Sequence, residues 1–133
     1  MTYYLDSNVL IYFLRGKSES VRKILRSQSP QNIKLPSVVK AELLTGAYKS
    51  QNIAKTLEAL EGTISPYEII PFDNAASEVY GKVRADLETN GNIIGANDLM
   101  IAATVLSRGG ILVTNNVKEF ERIDGLRIEN WTK

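Results

Sequence analysis

Residues 99–106 read Leu-Met-Ile-Ala-Ala-Thr-Val-Leu, an uncharged run that is apolar on nearly every side when wound into a helix. Such a helix has no face to offer water, so it belongs in the interior between two other layers. It is also far shorter than the ~20 residues a membrane span requires. Around it, short apolar runs alternate with amphipathic segments. Residues 3–6, 33–35, 67–70, 111–114 and 126–128 read as strands. Residues 7–15, 18–27, 37–48, 53–60 and 74–89 read as helices, as does a segment opening at Ala96 or Asn97, with a helical turn at 117–121. The clearest periodicity lies in 74–89, where Ala76, Val79, Tyr80, Val83 and Leu87 recur at steps of three and four. Ser7 or Asn8 is placed to cap the first helix, Gly16 to stop it, and Ser37 to cap the third. Strands that alternate with helices pair in parallel through crossovers. The expected fold is therefore a three-layer α/β/α sandwich with a mostly parallel central sheet, built by residues 1–133 as one domain.

The residues the chain lacks bound its chemistry. It has no Cys and no His. That excludes disulfide scaffolds, thiolate metal sites, cysteine nucleophiles and Ser-His-Asp triads. Any reaction must rely on carboxylates, hydroxyls, amides, Lys or Arg, and any bound metal must be a hard ion with oxygen ligands. Net charge is only +1, yet residues 1–60 carry nine basic and four acidic side chains, a net of +5, and the remainder carries −4. The basic half can face a polyanion, or can simply be the solvated sides of helices. The start of the chain has no basic leader, and its longest following apolar run, residues 9–14, is six residues. A cytoplasmic protein without signal peptide or membrane span is the expectation.

Ligands of parallel sheets bind beyond the carboxyl ends of the strands, and that rule gives the acids their interest. Asp6 ends the first strand, as a site carboxylate or as a helix cap. Glu42 lies among Val38, Val39, Leu43 and Leu44, either half-buried and in need of a partner or at the polar margin of an amphipathic stripe. Asp98 stands in the first turn of the apolar helix, where the helix dipole alone can account for it or where it leads a charge inward. Thr114, Asn115 and Asn116 close a strand, with Glu119 one turn later. Taken together, acids remote in sequence and gathered at one sheet edge would repel unless a divalent cation neutralised them. In a chain without His or Cys, Mg²⁺ or Mn²⁺ fills that role, and such ions promote phosphodiester hydrolysis.

Four runs in order resemble one family: Leu5-Asp6-Ser7-Asn8, the stretch 37–50 with Glu42-Leu43 and Gly46-Ala47, Ile94-Gly95-Ala96-Asn97-Asp98-Leu99, and Val113-Thr114-Asn115-Asn116 with Glu119-Phe120. They look like the PIN-domain ribonuclease toxins of the VapC type, and the likeness continues to the closing Gly125-Leu126-Arg127-Ile128-Glu129-Asn130-Trp131. The resemblance implies an endoribonuclease that uses one or two Mg²⁺ or Mn²⁺ ions and leaves a 3′-hydroxyl and a 5′-phosphate. The implied substrate is a structured RNA loop such as that of a tRNA. A VapB-type antitoxin would inhibit the enzyme. It also implies a homodimer, and a hetero-oligomer with the antitoxin that binds operator DNA. By position, Asp6, Glu42 and Asp98 match the family's metal-binding acids, with Asp6 and Asp98 on the first ion and Glu42 placing the ion or the attacking water. Asn116 and Glu119 would support a weaker second ion, with Ser7, Asn8 and Thr114 as supporting polar groups. Ser7 stands where Thr is usual, and Asn116 where some relatives have Asp. Arg15, Lys17, Arg22, Arg26 and Lys34 are candidates for contact with RNA phosphates or an acidic antitoxin tail.

Two other classes fit parts of the pattern. A phosphotransferase could use Asp6 as a covalent nucleophile, though that chemistry wants a second Asp two residues on, where this chain has Asn8. A non-catalytic RNA- or protein-binding module could keep the same fold and the same acids.

Overall fold

In a computed structural model, which describes residues 1–132, the elements run β1 (Tyr3–Leu5), α1 (Ser7–Arg15), α2 (Glu19–Ser27), β2 (Ile33–Pro36), α3 (Ser37–Tyr48), α4 (Ile53–Ile64) and β3 (Glu68–Ile70), then α5 (Asn74–Thr89), α6 (Ala96–Arg108), β4 (Ile111–Val113), α7 (Val117–Phe120) and β5 (Arg127–Glu129). A 3₁₀ turn, Pro30–Asn32, leads into β2. The five strands form one sheet in the order β3-β2-β1-β4-β5, and every pair is parallel. Helices flank it. After β1 the chain builds outward through β2 to β3, then returns across the sheet to lay β4 on the other side of β1. The order therefore reverses between β1 and β4, the position at which open parallel sheets form a crevice at their carboxyl edge.

Burial explains this arrangement. Leu5, Ile33, Leu35, Leu112 and Val113 are shut away from solvent, which is why these strands are nearly continuous apolar runs. The apolar helix is interior as its sequence requires: Leu99, Ile101, Ala102, Ala103, Thr104 and Val105 of α6 are buried. The Thr104 hydroxyl is satisfied by donating to the Met100 carbonyl at 2.8 Å. No helix among the described residues is long and apolar enough to cross a membrane.

Several local expectations are corrected. Asp6, not Ser7 or Asn8, caps α1, because its Oδ1 accepts the Ser7 N–H at 2.8 Å. Ser37 does not cap α3; Pro36 holds the cap position, and the Ser37 hydroxyl accepts the Phe72 N–H at 3.2 Å, fastening the segment that follows β3. Helix α4 runs to Ile64 rather than stopping at residue 60, since Ile64 lies one turn beyond Leu60 and both pack into the core, outweighing Gly62 and Thr63. The last strand is shifted one residue, to Arg127–Glu129, by its pairing with β4.

Helix α7 is a single turn and has almost no helical stability of its own. Its place is set by Phe120, fully buried, and by Ile123 just beyond it. Phe120→Ala is expected to lower the unfolding free energy by about 3–5 kcal/mol. Urea denaturation checks this, and a loss under ~1 kcal/mol would mean that α7 is held by something else.

Candidate active site

The backbone brings the two strand ends together at the point of reversal. The Asp6 N–H donates to the Val113 carbonyl at 2.9 Å, extending the β1–β4 pairing by one residue. The Asp6 and Thr114 side chains, 108 positions apart in sequence, then meet: Thr114 Oγ1 donates to Asp6 Oδ2 at 2.7 Å, and both residues are buried. The same Thr114 oxygen accepts the Asn116 N–H at 3.0 Å, which turns the chain toward α7. On the other side of Asp6, Ser7 bridges to α3, its hydroxyl donating to Glu42 Oε1 at 3.1 Å. At the far edge Asn116 Nδ2 donates to Glu119 Oε2 at 3.1 Å. Asp98, in the first turn of α6, lies within hydrogen-bonding reach of Glu119 and feels the negative charges of Asp6 and Glu42. Asp6, Glu42, Asp98 and Glu119, from four different elements, thus share one site with Ser7, Thr114 and Asn116. Asn8 is exposed on the first turn of α1.

The electrostatics are those of crowded like charge. Asp98 is pushed up to about 7, first by burial, then by its hydrogen bond to Glu119 and by the charges of Glu119, Asp6 and Glu42. Burial also raises Asp6, against the opposing pull of hydrogen bonds from Thr114 and Ser7, and the charge of Glu119 adds to the rise. Among the described residues no Lys or Arg is ion-paired with any of the four acids. One oxygen, Glu119 Oε1, is buried with no donor. Its neighbour Asp98 is itself an acceptor once ionised, so only a proton or a cation between the two carboxyls relieves the contact.

A hard divalent cation suits this donor set, which is all oxygen and carries excess negative charge. Asp6, Glu42, Asp98 and Glu119 are the residues that would supply its ligands. They stand as linked pairs rather than a closed cage: among the described residues no three acids already surround a common point.

The chain matches the PIN domain over residues 3–126. It is 39% identical over 132 residues to the tRNA(fMet)-specific endonuclease VapC of Shigella flexneri, covering 99% of each chain. It is 40% identical over 134 residues to ribonuclease VapC2 of Rickettsia felis, covering all of both. The chain belongs to the VapC family of PIN-domain ribonucleases. Its backbone also superposes on a crystal structure of VapBC2 from Rickettsia felis bound to a DNA fragment from their promoter, with a TM-score of 0.92, 39% identity and coverage of 98% of this chain and 99% of that one.

The basic residues are more scattered. Arg15 lies at the end of α1 beside a groove of about 480 Å³ that Glu42, Leu43, Leu60 and Lys55 also line. Lys17, Arg22 and Arg26 follow on and before α2, and Lys34 sits within β2 with its ammonium on Glu68 at 2.6 Å. The groove itself, with Lys55 on α4, has no signature in the sequence, because it exists only where α1, α3 and α4 meet.

Thr114→Val removes the donor that holds Asp6 down, so the Asp6 carboxyl should titrate at higher pH in carboxyl-resolved NMR, with a stability loss of about 1–3 kcal/mol. The raised acids also set a pH trend. A carboxyl whose folded-state value exceeds its unfolded one binds the proton more tightly when folded, so it contributes stability at low pH that is lost as pH rises through the folded value. For Asp98 that window runs from 3.8 to about 7. Metal-free protein should melt at falling temperature across it, and Asp98→Asn should flatten the slope; an unchanged slope would show the acids to be relaxed apart.

Proposed function

We propose that this protein is the toxin of a toxin–antitoxin pair: a Mg²⁺- or Mn²⁺-dependent endoribonuclease that hydrolyses a phosphodiester bond in a structured RNA loop, with tRNA as the substrate class. The observation that carries the reading is the unneutralised cluster of Asp6, Glu42, Asp98 and Glu119 at the sheet's point of reversal. Family membership and a relative named as a tRNA endonuclease support it.

In this reading Asp6 and Asp98 would hold the first ion, and Glu42, oriented by Ser7, would position that ion or the attacking water. Glu119, oriented by Asn116, completes a weaker second position. A bound divalent ion supplies an acidified water and positive charge against the leaving oxygen. The protein's own contribution is orientation. Thr114 and the Ser7 N–H hold Asp6 by both oxygens, fixing its carboxylate before substrate arrives. A bound cation would offset the like-charge repulsion from Glu119, Asp6 and Glu42 that bears on the Asp98 carboxyl. Asp6 is a poor candidate for a covalent nucleophile, because it is buried and both its oxygens are engaged.

A VapB-type antitoxin is the proposed partner. The α1–α3–α4 groove, lined by aliphatic side chains and continuous with Glu42, is the surface offered for its docking, with Arg15 and Lys55 at the rim for acidic groups. Among solved relatives, one is a VapBC complex on promoter DNA, and the same assembly is proposed here.

The test is cleavage of bulk tRNA by purified protein. Asp98→Asn should reduce the rate on the order of 10²-fold or more, the scale for losing a group that stabilises developing charge. Excess EDTA should abolish cleavage and added Mn²⁺ restore it; cleavage that proceeds equally in EDTA would sink the metal mechanism.

A further inference from the structure

The turn that follows α7 reaches the connection between α5 and α6. There Arg122 Nη1 donates to the main-chain carbonyl of Ile93 at 3.1 Å. The two segments it joins are those that deliver the site's most directly opposed carboxyls. Glu119 lies three residues before Arg122, and Asp98 five residues after Ile93. Apolar side chains anchor both segments, Ile94 in the connection and Phe120 and Ile123 in and after α7, but α7 is one turn long, and the connection turns at Gly91, in the left-handed region at φ 72°, and leaves Ile93 70% exposed. Among the described residues this is the one polar contact between residues 91–95 and 117–123. Among the described residues Arg122 forms no ion pair, and its charge is not among the causes of the Asp98 shift.

We propose that Arg122 is a positioning residue, a clasp that holds the α5–α6 connection against α7 so that Asp98 and Glu119 stay close enough to share a divalent cation. Two ionised carboxyls in contact push each other apart. A cation binding to the unclasped site would first have to draw them together, and that work is subtracted from its affinity. The inference rests on the metal-dependent reading above.

The test is calorimetric titration of Mn²⁺ into the purified protein, which needs no knowledge of the RNA target. Arg122→Met keeps the aliphatic stem and removes the donors. Its dissociation constant for Mn²⁺ should rise about tenfold, the low end for groups that orient metal ligands. Arg122→Lys, which retains a donor, should recover part of the loss. Lys118→Ala, on the same short helix and exposed, should bind as the parent does. Thermal melting with metal absent reports whether each variant is folded, and tRNA cleavage at saturating Mn²⁺ supplies KM and kcat. Tight Mn²⁺ binding by Arg122→Met would overturn the clasp alone. A raised KM with unchanged Mn²⁺ affinity would also overturn it, assigning Arg122 to RNA phosphates. Failure of the parent protein to bind Mn²⁺ would overturn the clasp together with the metal-dependent reading.

Discussion

The hydrogen bond from Thr114 to Asp6 is the joint on which the site depends. It closes β1 and β4 at their carboxyl ends, where the sheet reverses its order, and fixes a buried carboxylate at the floor of the crevice. Everything else reaches the site from that point. Ser7, the residue after Asp6, leads to Glu42, and Asn116, two after Thr114, leads to Glu119. A chain of short polar contacts thus runs across four elements, each link formed within a few residues of a strand end.

That chain stabilises the geometry and not the charge. Asp6, Glu42 and Glu119 are each oriented by a neutral donor, and no basic side chain among the described residues is ion-paired with any of the four acids. Neutral donors can hold a carboxylate in place without cancelling its field, which leaves the cluster high in energy and receptive to a cation. A Lys or Arg paired into the site would have made the fold more comfortable and the pocket useless for a hard ion. The basic groups lie instead at the groove rim, in β2, and in the clasp at Ile93, where they shape the surroundings.

Much of this was legible in the residue order. The strand-helix alternation and the charge-free run 99–106 led to a parallel sheet with an interior helix, and the structure has both. Asp6, Glu42 and Asp98 stood out by type and by position, whereas Glu119 entered through the family resemblance. Local readings failed where a distant partner competed. Ser37 looks like a cap, yet its hydroxyl is taken by Phe72, and the fourth helix reads as ending at residue 60, yet Ile64 is drawn into the core. Arg122 carried no signal at all, since an exposed Arg in a turn is ordinary until its carbonyl partner, 29 residues earlier, is seen beside it.

The sequence by itself determined the class of chemistry. With neither thiol nor imidazole, only oxygen ligands were available, and periodicity dictated which segments could be strands and which helices. Only the tertiary structure decided that the acids meet, which neutral groups orient them, and which oxygen is left without a donor. The reason is that periodicity and capping act within a few residues of chain, whereas the convergence of carboxylates spread over more than a hundred positions is set by strand order. That order is chosen by burying the whole core at once.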